Sequence, residues 1–204
     1  MANPRSPSPP LKPTAGADKI SRPDHHESRG GQNSKSVAAV EFTSGSSEET
    51  QAFGQRLGRA LRSGDVVALY GELGSGKTTL IQGIAKGLGR APETIKSPTF
   101  VLMREYPGEV PLVHVDGYRL KGPPAVAWLD VELILSSYTI TVIEWAERFA
   151  GLLPDDHVQV HLSHVSANRR RIRLLSHDPR FQKLIQATTQ KLSDSETASD
   201  ATSN

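Results

Sequence analysis

The fold is decided by residues 71–79, which read GELGSGKTT and match the phosphate-binding loop pattern G-x-x-x-x-G-K-[ST]. The glycines let the backbone curl so that several N–H groups point at one phosphate, and the helix that follows adds its positive N-terminal dipole. Lys77 is placed to neutralise the β- and γ-phosphates of a nucleotide, the Thr78 hydroxyl to bind Mg²⁺, and Thr79 to reach a more distal phosphate. The nucleotide contacts predicted for this stretch are Gly74, Ser75, Gly76, Lys77, Thr78, Thr79 and Leu80.

The residues on either side of the loop supply the structural context that this motif needs, a strand before it and a helix after it. Residues 65–70 read DVVALY, a short apolar run typical of a buried parallel strand. After the loop, apolar residues recur at helical spacing, and Gly89 offers a C-terminal cap. We therefore interpret residues 71–79 as a nucleotide-binding loop rather than a glycine-rich turn.

Composition narrows the class of protein. The chain has 204 residues, enough for one domain with a real core, and its formal net charge of +2 implies no strong affinity for polyanions. The absence of cysteine excludes disulfides, thiolate zinc sites and cysteine nucleophiles, and it fits a reducing cytoplasm. No apolar run approaches the length of a transmembrane helix, so no membrane partner is expected.

The order of predicted elements indicates an α/β fold. We expect disordered tails at residues 1–36 and 188–204 around one domain at residues 37–187. Strands alternate with helices, which predicts a mostly parallel central sheet flanked by helices, with ligand bound at the carboxyl ends of the strands and a β-hairpin near the C-terminus. The predicted strands are residues 37–42, 65–70, 101–106, 111–116 and 139–144, and the hairpin turns at Ala167-Asn168. Four helices are predicted. The first begins at a capping box formed by Ser46 and Glu49, the second follows the phosphate loop, and the third spans residues 128–135. The fourth begins at Asp178-Pro179, with Phe181, Leu184 and Ile185 on its buried side.

Two of the apolar strands end in a carboxylate, one at Asp116 and the other at Glu144. A nucleotide hydrolase needs such a carboxylate beside the phosphate loop to hold Mg²⁺ opposite the Thr78 hydroxyl. Spacing alone does not decide which acid has this role. The alternative is that each acid caps a helix or pairs with a lysine.

Three further features have two interpretations each. Arg119 either stabilises transition-state charge or pairs with Asp116 or Glu144. Residues 97–100, which read SPTF, suit a segment that senses the γ-phosphate, although alone they indicate only a turn. Trp145 either stacks on a base or partner or is buried in the core.

Histidines and arginines near the C-terminus suggest weaker hypotheses. His157 and His161 would share one strand face and His164 the other, so solvated edge-strand histidines are favoured over a zinc site. Residues 169–173, which read RRRIR, allow contact with nucleic acid or with nucleotide phosphates, but a solvated hairpin is the more common structure.

Five sequence blocks occur in a specific order along residues 46–175. They are GDVVAL at 64–69, GELGSGKTT at 71–79, SPTF at 97–100, HVDGYRL at 114–120 and IEW at 143–145. With these blocks the chain resembles the TsaE (YjeE) family of bacterial ATPases, which support threonylcarbamoyladenosine formation on tRNA. The loop is shared with many proteins, whereas the ordered set is far more specific.

The resemblance implies a single P-loop domain that hydrolyses ATP slowly by itself and works with the transferase subunits TsaD and TsaB, contacting tRNA indirectly through that complex. It implies that Thr78 and Glu144 hold Mg²⁺ and that Asp116 acts near the γ-phosphate and its attacking water. Lys77, Asp116 and Glu144 are then the expected catalytic residues.

At the edge of the nucleotide site, the resemblance implies roles for Ser47 and for Arg169 or Arg170, and it implies that Trp145 acts by stacking or at the partner surface. The chain departs from the family at Gly117, where the family has leucine, and over residues 121–137, where Pro123-Pro124 replaces an expected acidic helix.

The sequence therefore predicts a Mg²⁺-dependent ATPase that cycles the TsaD/TsaB transferase during tRNA modification, with nucleotide state altering the SPTF and DGYRL segments. One alternative is a P-loop small-molecule kinase, because D-x-Y-R resembles a phosphate-acceptor pocket. Another is a nucleotide-dependent binding module with negligible turnover. A GTPase is disfavoured, because the chain has no N-K-x-D motif for base recognition.

Overall fold

A seven-stranded sheet forms the centre of the computed structural model, which describes residues 38–120 and 129–182. The order of strands across the sheet is β1-β7-β6-β2-β5-β4-β3. Along the chain they are β1 (Ala38–Ser44), β2 (Val66–Tyr70), β3 (Met103–Tyr106), β4 (Leu112–Asp116), β5 (Ile140–Glu144), β6 (Val158–His164) and β7 (Arg170–Ser176). The tails predicted at residues 1–36 and 188–204 lie outside the described residues.

The middle of the sheet is parallel and its two edges are antiparallel. Strand β2 pairs in parallel with β5 and β6, and β4 pairs in parallel with β5. Strands β3 and β4 are antiparallel, as are β6 with β7 and β7 with β1. This arrangement confirms the predicted α/β class with its mostly parallel centre. The β6–β7 hairpin turns where expected and extends the same sheet.

Two helices cover one face of the sheet, α1 (Ser47–Ala60) and α2 (Lys77–Gly87). The apolar side of each helix packs with side chains of β2, β5 and β6 in the larger of two core clusters. A second cluster on the other face includes Val113, Val115 and Ile143, together with Phe149 of a 3₁₀ turn (Ala146–Phe149). The alternation of side chains along β4 and β5 between two buried faces explains why these strands read as continuous apolar runs.

Of the two hydrogen bonds in the capping box predicted at the start of α1, one forms as expected and the other has a different partner. The Ser46 hydroxyl accepts a hydrogen bond from the Glu49 N–H at 3.2 Å, as in a standard cap. The Glu49 carboxylate, however, accepts from the Gly45 N–H at 2.6 Å, one residue earlier than the usual partner. Both bonds tie the end of β1 to the start of α1.

The backbones of α1 and α2 touch each other through glycines. A Cβ atom added at any of four helical glycines would lie 2.2–2.4 Å from a carbonyl oxygen of the opposite helix. The pairs are Gly54 with Leu80, Gly58 with Ile84, Gly83 with Gln51 and Gly87 with Gln55. No side chain can move aside to relieve such a contact. The two helices therefore act as one unit, which holds the start of α1 beside the phosphate loop.

Some predicted boundaries are wrong. Strand β3 begins at Met103 rather than 101, because Leu102 has a φ of 65° and its N–H bonds to the Pro98 carbonyl in a turn. The helix expected at 128–135 is the single turn α3 (Val131–Ile134), capped by the Asp130 side chain, and residue 128 itself is outside the described part.

The helix expected after Asp178-Pro179 begins at residue 180, and the positions predicted for it at 184 and 185 lie beyond the described residues.

Within residues 38–120 and 129–182, no helix is both long and apolar enough to cross a membrane.

Candidate nucleotide-binding site

The phosphate loop joins the carboxyl end of β2 to the first residue of α2. Gly71 and Gly76 have φ values of 143° and 100°, which L side chains rarely adopt. A Cβ at Gly71 would also lie 2.2 Å from the Leu162 carbonyl oxygen of β6. The loop is therefore packed directly against the sheet, and glycine is needed at Gly71 for both reasons.

Lys77 lies folded back over this loop. Its Nζ donates to the carbonyl oxygens of Gly71 at 2.7 Å and Glu72 at 2.9 Å, and it lies 4.1 Å from the centre of the Trp145 ring. Only 4% of the residue is exposed. The ammonium is thus held inside the loop by partners that prefer its charged form.

Two opposing effects act on the charge of Lys77. Burial lowers the pKa of Lys77 below its usual value, while the carboxylates of Glu144, Glu147 and Asp116 act in the opposite direction. Burial is the larger influence. A nearby phosphate would add further negative charge and so favour the charged ammonium.

The two strand-end carboxylates are neighbours. Asp116 and Glu144 are register partners on the parallel strands β4 and β5, and both are buried. The Thr78 hydroxyl donates to Glu144 Oε1 at 3.1 Å, and His114 Nε2 lies 2.9 Å from the same oxygen. A hydroxyl and a carboxylate side by side at the loop are the hard oxygen ligands that Mg²⁺ prefers, so the residues present fit that ion.

The Asp116 carboxylate is held by three donors. Its Oδ2 accepts from the Ser97 hydroxyl at 2.6 Å and the Thr99 hydroxyl at 2.5 Å, and its Oδ1 accepts from the Tyr118 N–H at 2.9 Å. The SPTF segment is therefore attached to the strand-end aspartate through its two hydroxyl groups. A movement of the Asp116 carboxylate would therefore shift or break its hydrogen bonds to Ser97 and Thr99.

Two cavities of about 310 Å³ and 390 Å³ meet at the loop and share Gly74, Gly76 and Thr79. The first lies between the start of α1 and the β6–β7 turn and is lined by residues 45–48 and by Asn168 and Arg170. The second is lined by Lys77, Thr78, Ser97, Thr99, Asp116, Tyr118, Glu144 and Trp145. Together they form a cleft with the loop at its middle, at the carboxyl ends of the parallel strands.

The structure brings Ser47 to this cleft, at the first turn of α1. Of the two hairpin arginines, Arg170 lines the first cavity, and its Nη2 donates to the Gly74 carbonyl at 3.4 Å. Arg169 is exposed in the turn, where its backbone bonds to Ser166. Of the two predicted arginines, Arg170 rather than Arg169 therefore lies at the cleft.

Two other predicted loop contacts are buried. Leu80 packs in the core, and its N–H bonds to the Gly76 carbonyl within the helix. The Ser75 side chain is also buried, and its Oγ has no hydrogen-bond partner among the described residues. Neither of these two side chains lines either cavity.

The structure does not bear out the pairing of Arg119 with Asp116 or Glu144, and it settles the position of Trp145. The Arg119 guanidinium lies 4.4 Å from the centre of the exposed Phe100 ring, which links the DGYRL and SPTF segments. Trp145 is half-buried at the second cavity and has a φ of 57°. The centre of its ring lies 5.1 Å from the centre of the Tyr118 ring. Trp145 is a residue of the cleft wall rather than of the core.

The predicted solvated edge-strand histidines are wrong for two of the three residues, because β6 lies between β7 and β2 and both His157 and His161 are half-buried. His157 precedes β6, and its Nδ1 lies 2.5 Å from the Pro154 carbonyl. In the described part of the chain, no group of three or more His, Cys, Asp or Glu side chains is arranged to hold a metal. In the basic cluster, Arg171 lies on the solvent side of β7, 3.5 Å from Glu41. The described residues therefore give no support to a zinc site.

Sequence reasoning missed the role of His114, which the structure places against Glu144. The signal was present, because His114 interrupts an apolar strand two residues before Asp116 and must therefore share its face. A polar residue buried at such a position needs a partner.

Comparison with known proteins agrees with these features. The family model described as threonylcarbamoyl adenosine biosynthesis protein TsaE matches residues 44–172, more than half of the chain. A relative of that name from Nostoc is 38% identical over 143 residues, 68% of this chain and 86% of the relative. Another, from Bacillus subtilis, is 32% identical over 140 residues, 68% of this chain and 87% of the relative.

The crystal structure of Bacillus subtilis YdiB has a TM-score of 0.60 and 28% identity, covering 76% of this chain and 97% of that one. The chain therefore belongs to the TsaE family, whose members take part in tRNA threonylcarbamoyladenosine biosynthesis.

Proposed function

We propose that this member of the TsaE family is a cytoplasmic Mg²⁺-dependent ATPase, and that its nucleotide cycle resets the TsaD/TsaB transferase complex during threonylcarbamoylation of tRNA. The observation that carries the proposal is the Thr78–Glu144 hydrogen bond beside the buried Asp116 at the end of a phosphate loop. This combination supplies metal ligands and a second carboxylate at the place where a γ-phosphate would lie.

The shape of the cleft supports one orientation for ATP. The cavity beside Ser47 and Arg170 would take the nucleoside, and the loop would take the α- and β-phosphates on its backbone N–H groups. The γ-phosphate would then lie in the second cavity, near Lys77 and Asp116. The guanidinium of Arg170 adds positive charge at the junction of the two cavities.

Hydrolysis at such a site depends on positioning and charge stabilisation. Bound Mg²⁺ would neutralise negative charge on the β- and γ-phosphate oxygens. Thr78 and Glu144 would hold that ion, and Lys77 would turn its ammonium from the loop carbonyls towards the phosphates. Asp116 already accepts three hydrogen bonds, which fix the direction of its carboxylate, so its role would be to orient the attacking water.

The bonds of Asp116 also support a switch. Ser97 and Thr99 couple this carboxylate to a segment whose next residues, Phe100 and Val101, are 82% and 59% exposed. Large exposed apolar side chains next to each other favour contact with another protein. Loss of the γ-phosphate would rearrange the hydroxyl groups on Asp116 and move this surface, which would engage or release the transferase.

The test measures phosphate release from ATP by the full chain, alone and with TsaB and TsaD. We expect slow Mg²⁺-dependent release that Glu144→Gln abolishes, while Glu105→Gln, an exposed glutamate on β3, leaves it unchanged. ATP consumption only in proportion to an added small-molecule acceptor would indicate the kinase alternative. Nucleotide binding with no release even in the complex would indicate a binding module and contradict the proposal.

A further inference from the structure

We propose that His114 is a positioning residue that orients the Glu144 carboxylate for Mg²⁺, an inference that rests on the proposed Mg²⁺-dependent ATP site. His114 lies in the middle of β4 and none of it is exposed. Its Nε2 lies 2.9 Å from Glu144 Oε1. A buried histidine bonded to a metal-binding carboxylate has few roles other than to fix that carboxylate.

The strand geometry brings this contact about. His114 and Asp116 are two residues apart on β4 and point to the same face of the sheet. Asp116 is the register partner of Glu144 on β5, so His114 lies diagonally across from Glu144 on the neighbouring strand. The imidazole therefore contacts the Glu144 carboxylate from the neighbouring strand of the sheet, while the Thr78 hydroxyl contacts it from the first turn of α2.

The hydrogen-bond pattern defines which nitrogen carries the proton. An ionised carboxylate only accepts, so His114 Nε2 must donate to Glu144 Oε1. Nδ1 has no hydrogen-bond partner among the described residues. A buried N–H without an acceptor is costly, so a proton on Nε2 rather than on Nδ1 fits these hydrogen bonds.

Two donors from two different elements therefore hold one oxygen of Glu144. Without the imidazole, the one hydrogen bond left to this carboxylate among the described residues would come from the Thr78 hydroxyl, which is itself expected to bind the ion. Glu144 would then have to be ordered when Mg²⁺ binds, and that loss of freedom would weaken ion binding. Nucleotide contacts that do not involve the ion would be unaffected.

The experiment follows binding of a fluorescent ATP analogue, methylanthraniloyl-ATP, to the full chain in EDTA and in rising Mg²⁺. His114→Met removes the donor at similar volume, whereas His114→Gln keeps an amide donor near the position of Nε2. His114→Asn has the same amide one methylene shorter, out of reach of Glu144. His161→Met is the matched control, because His161 is a half-buried strand histidine stacked on Tyr70.

We expect the Mg²⁺ concentration at half-saturation to rise about 10- to 100-fold in His114→Met and His114→Asn, with affinity in EDTA unchanged. His114→Gln and His161→Met should stay close to wild type. If His114→Met does not fold, His114→Asn against His114→Gln makes the same comparison. Wild-type Mg²⁺ dependence in folded Met or Asn variants overturns the inference, whereas a wild-type chain that ignores Mg²⁺ overturns the proposed function itself.

Discussion

Gly58→Ala tests whether backbone contact between α1 and α2 holds the cleft together. The new Cβ would lie 2.3 Å from the Ile84 carbonyl oxygen, whereas close carbon–oxygen contacts are about 3.3–3.6 Å, so the helices must separate by about 1 Å. Overpacking of this kind costs about 1–3 kcal/mol. A clash with backbone that no side chain can relieve lies at the upper end of this range, about 2–3 kcal/mol. Alanine favours the helix by about 1 kcal/mol over glycine, which leaves a net loss of about 1–2 kcal/mol in the free energy of unfolding.

The assay is urea unfolding with a thermal melt of the same variants. For a domain of this size, the expected loss lowers Tm by about 2–8 °C. Ala52→Gly is the matched control, because Ala52 is exposed on the same helix and reports helix propensity alone. We expect it to destabilise the protein by about 1 kcal/mol. Both substitutions should therefore be destabilising, although one replaces glycine with alanine and the other replaces alanine with glycine.

The two variants together can refute this reasoning. If Gly58→Ala raised the free energy of unfolding by the amount that Ala52→Gly lowers it, propensity would be the whole effect and the helices would not be in tight contact. We also expect weaker ATP binding in Gly58→Ala, because separation of the helices moves the start of α1 away from the loop.

Four other substitutions test the site and one ion pair outside it. Lys77→Ala and Glu144→Ala should each lower phosphate release about 100-fold or more while the circular dichroism spectrum stays that of the wild type; an unfolded spectrum would count against the assigned roles. Thr99→Val removes one donor to the aspartate at the end of β4 and should lower turnover about tenfold, with ATP affinity from nucleotide titration within about threefold of wild type. The hydrogen bond from Arg180 holds the pKa of Asp178 below its usual value, so this pair stabilises the folded state above the ordinary carboxyl pKa and loses that effect as pH falls. The difference in unfolding free energy between wild type and Asp178→Asn should therefore shrink between about pH 5 and pH 2, and a constant difference in urea melts would contradict it.

Features that depend on local sequence were predictable. The phosphate loop, β2 and α2 follow from a motif with fixed steric requirements, and the strand that ends at Glu144 follows from an apolar run. Because parallel strands end at the same edge of a sheet, Asp116 and Glu144 could be expected near each other. Their register pairing required the structure. Spacing alone did not select Glu144 as the partner of Thr78; only the family resemblance implied that choice, and the structure shows the hydrogen bond between them.

Features that depend on distant partners were not predictable. The glycines in α1 and α2 look like poor helix formers, and only the opposite helix explains them. Leu102 ends a turn in which its N–H bonds to the Pro98 carbonyl, so β3 begins two residues later than predicted. The periodicity of the sequence does not reveal this hydrogen bond. Arg170 rather than Arg169 lines the cleft because the side of β7 it occupies is set by pairing with β6.

The most direct test of the central claim is multi-turnover threonylcarbamoylation of tRNA by TsaB and TsaD, supplied with threonylcarbamoyl-adenylate. The full chain is added as wild type or as Glu144→Ala, and modified tRNA is counted per transferase. We predict that only the wild type sustains more than one round, because the proposed reset depends on hydrolysis at the site formed by Thr78, Asp116 and Glu144. Equal cycling with both proteins, or with neither, would contradict the account.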